Sequence, residues 1–104
     1  MAAIRQLGTE GEAAANIVKN TERIPSASGT AAYRVPDVLN HGAQVIGDVK
    51  NVGRLSYTNQ LRDFASYAQT NGYQFQLTVR TTTQLSGPLS VEVANGNILL
   101  RFLP

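Results

Sequence analysis

The chain has 104 residues, 42% of them hydrophobic and 15% charged, with a formal net charge of +2, one histidine and no cysteine. That length suits a single domain, residues 1–104, with one modest core. Disulfides, thiolate catalysis and cysteine-ligated zinc are excluded, and one histidine leaves little for a His-rich metal centre or a Ser-His-Asp triad. No apolar run approaches the roughly 20 residues of a membrane span. The start, Met1-Ala2-Ala3-Ile4-Arg5, lacks the hydrophobic segment of a signal peptide. Any address is therefore expected elsewhere in a longer protein. The small positive charge is compatible with a polyanionic partner without demanding one.

In chain order, Gly8-Thr9-Glu10-Gly11-Glu12 opens the first element. Thr9 is a suitable N-cap, and Glu10 and Glu12 sit in a first turn, where negative charge complements the helix dipole. Ala13 to Ala15 are strong helix formers, and Ala14, Ile17 and Val18 give an apolar stripe, predicting a helix over residues 9–21. Residues 21–30, with Pro25, Ser26, Ser28 and Gly29, read as a loop. Two strands are expected over residues 31–39 and 44–52, joined by the turn-forming Asn40-His41-Gly42-Ala43. His41 is read as an exposed turn residue.

Ser56 or Thr58 caps the next helix. Tyr57, Leu61, Phe64, Ala65 and Ala68 recur on its apolar face, and Asn71-Gly72 supplies its stop. Tyr73, Phe75, Leu77 and Val79 alternate with polar residues as a half-buried strand does. Thr81 to Thr83 follow as a loop or strand end. Residues 86–94 stay open between a short helix, with Pro88 near its first position, and a strand carrying Val91 and Val93. Asn95-Gly96 turns the chain into a last strand ending at Phe102. The helix between the second strand and the Tyr73 strand permits a parallel crossover. The predicted class is α/β, a mixed sheet flanked by helices.

Asp37, Asp48 and Lys50 carry the chemistry. Asp48 and Lys50 are two apart on a predicted strand and so project from one face. A hairpin through residues 40–43 brings Asp37 from the preceding strand beside Asp48. Two carboxylates suit Mg²⁺, or Mn²⁺ in its place, because hard cations take oxygen ligands and keep room for water and substrate phosphate. A metal so held polarises a phosphoryl oxygen and acidifies bound water, and Lys50 stabilises the charge that builds up. The pattern reads as a metal-dependent phosphodiesterase site. Taken alone, Asp-x-Lys is also what a solvated strand face with an exposed ion pair looks like.

These residues, in this order, resemble the PD-(D/E)xK nuclease superfamily, whose restriction-endonuclease-like core runs helix, strands, helix, strand. Asp37 matches its first acid, and Asp48-Val49-Lys50 its acid-x-lysine. A longer likeness, from about Leu7 to Leu103, is to the restriction-endonuclease-like toxin domains at the C-terminal ends of bacterial polymorphic toxins. It is carried by residues 33–37, 47–52 and 55–64, extended by Tyr67-Ala68 and Gly72.

The resemblance implies an endonuclease toxin, with DNA preferred and a structured RNA such as tRNA as the alternative substrate. A non-catalytic nucleic-acid-binding module is the alternative from another class. It also implies a third acid from the first helix, Glu12, joining Asp37 and Asp48 at the metal. A cognate immunity protein and delivery as the end of a larger secreted toxin, for action in the target-cell cytoplasm, follow from the same likeness. Some relatives carry a glutamine on the helix after the lysine strand, followed four positions on by tyrosine; here Gln60 is followed by Phe64. Gln60, Arg54 and Arg34 are substrate-binding candidates, with Lys19, Arg62 and Arg80 as further phosphate contacts.

Overall fold

The structure, a computed structural model, describes residues 19–104. Glu12 and nearly all of the helix expected over residues 9–21 lie outside them. Residues 19–21, the expected end of that helix, are not helical. The elements run β1 (Val38–Asn40), β2 (Val45–Lys50), β3 (Arg54–Leu55), α1 (Asn59–Asn71), β4 (Gln74–Val79), β5 (Gln84–Leu85), α2 (Gly87–Ala94) and β6 (Leu99–Phe102). The main sheet has the order β1-β2-β4-β6. β1 is antiparallel to β2, and β2, β4 and β6 are parallel. A second, two-stranded sheet pairs β3 with β5 in parallel. This is the mixed sheet with flanking helices expected for a restriction-endonuclease-like core.

Register divides the residues between the sheet's faces. Ile46, Asp48 and Lys50 lie beside Phe75, Leu77 and Val79, and parallel neighbours in register share a face. Against this face pack Leu61, Phe64 and Ala68 of α1, all buried in one cluster with Ile46, Phe75, Leu77 and Val79. Phe64 meets Phe75 edge to face, with ring centroids 6.0 Å apart, the arrangement that the ring quadrupoles favour. Burying a side chain of this size contributes about 1.5–3 kcal/mol. α2 adds Leu89 to the same core.

Helix α1 begins and ends where its sequence says. The Thr58 hydroxyl accepts from the Leu61 N–H at 3.2 Å, satisfying a first-turn donor. Gly72 closes the helix at φ 72°, ψ 31°, a left-handed conformation that costs glycine nothing. The open question over residues 86–94 resolves as helix α2. The Ser86 hydroxyl accepts from the Leu89 N–H, and Pro88 sits in the first turn. There proline's missing N–H costs nothing, and that outweighs the strand preference of two valines.

One expectation needs correction. The first strand is shorter than residues 31–39. Only Val38–Asn40 is strand, with an isolated antiparallel bridge between Ile24 and Arg34, because buried Pro36 has no N–H to continue the ladder. Residues 81–83 form a turn, in line with the loop expected there, and lead into β5, whose pairing with β3 had no periodicity to announce it: each strand is two residues long. Among the described residues no helix is long and apolar enough to cross a membrane.

Candidate metal-dependent active site

The β1–β2 hairpin sets the geometry. Val38 pairs with Gly47, so one step further along the antiparallel register Asp37 lies opposite Asp48, and directly opposed residues share a face. The turn tightens through the Ala43 N–H, which donates to Asn40 Oδ1 at 2.9 Å, and through Gln44, which takes a positive φ of 56°. Gly47 lets the strands close up. A Cβ there would sit 3.3 Å from both the Val38 Cβ and the Gln76 carbonyl oxygen.

Beyond the last β1 pair, the Val49 N–H donates to Asp37 Oδ2 at 2.9 Å. A bracket holds Asp37 from the other side. The Asn20 N–H donates to the Asp37 carbonyl, and Asn20 Nδ2 donates to the Pro36 carbonyl, both at 3.0 Å. Sequence reading missed Asn20. The only available sign was an asparagine at the start of a loop, where such side chains commonly bond the backbone.

Asp48 is 4% exposed, beneath α1. Its Oδ2 is buried and has no hydrogen bond. The Lys50 ammonium lies 3.1 Å from that oxygen, close enough for an ion pair but off the hydrogen-bond direction. The Lys50 hydrogen bond goes to Gln60 Oε1 at 2.6 Å. Burial pushes the Asp48 carboxyl well above the usual carboxylate range; its hydrogen bond with Asp37 and the Asp37 charge push it further, and Lys50 opposes them. Two carboxyl groups are thus forced together in a dry place, a strained arrangement that an extra positive charge relieves.

The residues fit a divalent metal. Asp48 Oδ2 is a buried acceptor lacking a donor, Asp37 stands opposite, and an all-oxygen donor set suits Mg²⁺ or Mn²⁺. Among the described residues no cluster of three or more acidic, histidine or cysteine side chains forms. The third acid expected from sequence, Glu12, is outside them.

The other sequence candidates separate. Gln60 joins the site through Lys50. Arg34 does not: its Nε donates to Asp63 Oδ2 and its NH2 to Thr30 Oγ1, both at 2.9 Å, which gives its guanidinium an internal structural role. Arg54 is exposed on β3, with no hydrogen-bond or ion-pair partner among the described residues. Arg80 donates to Asn51, which directly follows Lys50. Arg62 lies over the Tyr57 ring, 4.2 Å from its centroid, and Lys19 is exposed. His41 is exposed, as expected, but not idle: Nδ1 meets the Tyr73 hydroxyl at 2.5 Å and Nε2 meets Glu22 at 2.9 Å.

Against known proteins, the family model described as restriction endonuclease fold toxin 7 matches residues 8–89. Neither the curated proteins nor the solved structures provide a match. The matched span takes in β1, β2, α1 and β4 together with Asp37, Asp48 and Lys50, so the chain belongs to the restriction endonuclease fold toxin family, a family of nuclease toxins.

Proposed function

We propose that this chain is a Mg²⁺-dependent endonuclease that hydrolyses phosphodiester bonds, with DNA as its preferred substrate, inside a target bacterium. The observation that carries this reading is the pairing of Asp37 with Asp48 across the hairpin, beside a lysine held by Gln60. Asp37 and Asp48, with Glu12 from the N-terminal segment, would hold the metal. When bound, that ion supplies Lewis-acid charge to a phosphoryl oxygen and acidifies a water.

The chain's own groups do the positioning. The hydrogen bond to Gln60 and the ion pair with Asp48 fix the Lys50 ammonium from two sides, so its other N–H groups are aimed rather than free to roam. Its side chain is 26% exposed, enough to meet substrate at the edge of the buried pair. There it orients the attacking water and stabilises charge on the phosphoryl oxygens. Asn20 and the Val49 N–H keep Asp37 from swinging away. Preorganisation of this kind is worth most where water is excluded. Arg54 and Arg80 stand on the exposed side of the β2 end, where a sugar–phosphate backbone is reached.

As a toxin domain it acts after delivery into the target-cell cytoplasm, and its producer is protected by an immunity protein. The test is digestion of plasmid DNA and total RNA side by side, with Mg²⁺ and with EDTA. DNA nicking that EDTA abolishes, and that Asp48→Ala and Lys50→Ala lack, supports the reading. Cleavage of RNA alone moves the substrate to structured RNA. Undiminished cleavage by Asp48→Ala removes the site assignment.

A further inference from the structure

Helix α1 carries a second feature, a groove of about 450 Å³ between the helix, the start of β4 and the turn from α2 to β6. The volume is in the range of small-molecule sites. Buried Ala68 and Phe75 give it an apolar lining, and Tyr57, Arg62, Glu92 and Asn97 a polar one. The Arg62 guanidinium rests on the Tyr57 ring, which fixes the plane of its N–H donors. Asn97 Nδ2 donates to Glu92 Oε1 at 3.2 Å, leaving the second carboxylate oxygen open. Burial, then the Glu92 charge, raises the Tyr57 phenol above its ordinary range, with Arg62 opposing, so all three groups share one electrostatic environment.

Arg62 and Glu92 nevertheless form no ion pair with each other. Opposite charges line one groove without closing. Their fields largely cancel for a bare phosphate, so the groove is no backbone track. It suits a flat group with donors on one edge and acceptors on the next. Of the bases, guanine alone offers two adjacent donors, N1–H and N2–H, to fill a carboxylate, together with O6 and N7 acceptors for an arginine. Adenine and cytosine bring a single amino donor group. Uracil and thymine flank their one N–H with carbonyls that repel a carboxylate.

We propose that this groove is a guanine subsite, with Glu92 accepting from N1–H and N2–H and Arg62 donating to the acceptor edge. Its setting rests on the nuclease reading. Arg62 follows Gln60 by two residues on α1, but Tyr73, Gln74 and Phe75 carry the groove toward the hairpin-turn end of the sheet, away from Lys50, which pairs with Val79 at the end of β4. A base at some distance along the strand from the cleaved linkage is thereby read.

The test does not need catalysis. Metal-free protein is titrated with GMP, AMP and inorganic phosphate while the backbone amide resonances of Arg62, Glu92 and Asn97 are followed by NMR. GMP is expected to bind about tenfold more tightly than AMP or phosphate, to shift these resonances, and to lose its advantage in Glu92→Gln. Equal binding of GMP and AMP, shifts confined to the Lys50 region, or a preference that survives Glu92→Gln overturns the subsite. Mapping of cut positions separates it from the nuclease reading. Cuts that fall at a fixed spacing from guanine in the native protein and lose that spacing in Glu92→Gln support it. Cuts with no guanine bias sink the subsite and leave the nuclease standing. If nothing is cut, the nuclease reading fails, and the nucleotide titration alone decides the groove.

Discussion

Two buried aspartates, Asp48 and Asp63, divide the work of this small protein. Both are almost fully inaccessible, at 4% and 1%. Asp63, on α1, is saturated: Ser26 Oγ donates to it at 2.5 Å, the Ser28 N–H at 2.8 Å and Arg34 Nε at 2.9 Å. Asp48, on β2, has an orphaned oxygen, an acidic neighbour and an ion pair that is not aligned as a hydrogen bond. Burial raises both carboxyls. At Asp63 the Arg34, Ser26 and Ser28 donors outweigh it and bring the group down to about 2, while at Asp48 nothing does. A carboxylate with donors on both oxygens staples a loop to a helix. One left short of donors is poised to take a ligand.

The largest expected effects follow from exchanging those fates. Asp48→Ala should lower phosphodiesterase activity by about 10³-fold, the scale for losing a group that organises transition-state charge, with thermal stability little changed. Asp63→Ala should do the reverse to the fold. Removing one partner of a buried, hydrogen-bonded ion pair costs about 3–5 kcal/mol, because Arg34 is stranded and residues 26–34 lose their anchor. Urea unfolding measures it. A loss under 1 kcal/mol would mean that the loop is held by other contacts.

Acid sharpens the contrast. The folded-state value of Asp63, about 2, lies below its ordinary value of about 3.9. The native state therefore binds fewer protons than the unfolded chain between those values. The stability this contributes is fully present above about pH 4 and is lost as pH falls toward 2. Unfolding midpoints measured from pH 5 to pH 2 should fall in the native protein, and fall less steeply in Asp63→Asn. Parallel slopes would show that Asp63 is not the group responsible.

A smaller effect is expected at Gln60. Gln60→Ala frees the Lys50 ammonium without removing its charge, and loss of such a supporting hydrogen bond commonly costs about 10–100-fold. Cleavage rates at saturating substrate should show it, while Gln60→Glu, which keeps the acceptor, retains more. Equal rates for the two variants would say that Lys50 needs no support from α1.

The comparison also explains what could be read from the sequence. Asp48 and Lys50 were legible because a strand's period of two is strict, and Asp37 because the turn residues 40–43 fix the hairpin. Helix α1 was legible through Thr58, Gly72 and a regular apolar stripe. Asp63 was not, since an acid next to Phe64 on an amphipathic helix looks like a solvent-facing residue. Its partners are Ser26, Ser28 and Arg34, far off in sequence, and only the folded chain brings them together. The same holds for Asn20 and for the β3–β5 pair, whose evidence is backbone hydrogen bonding between distant segments. Arg34 shows the same limit: its pairing with Asp63, 29 residues away, leaves no mark in the sequence.

The smallest predicted change in stability is the most discriminating. Asp48→Asn keeps the size of the side chain and removes its charge. If Asp48 were structural, like Asp63, the substitution would destabilise the fold, because a needed ion pair would go. The geometry argues otherwise. The charge lost is desolvated, lacks a hydrogen bond on Oδ2 and faces Asp37, while Lys50 keeps Gln60 and reaches solvent. Relief of an unfavourable burial then offsets the lost attraction, and unfolding free energy should stay level or rise by up to about 1 kcal/mol as activity disappears. A loss of 2 kcal/mol or more would place Asp48 with Asp63 among the structural acids. It would remove the strongest physical reason to put a metal at the β1–β2 hairpin.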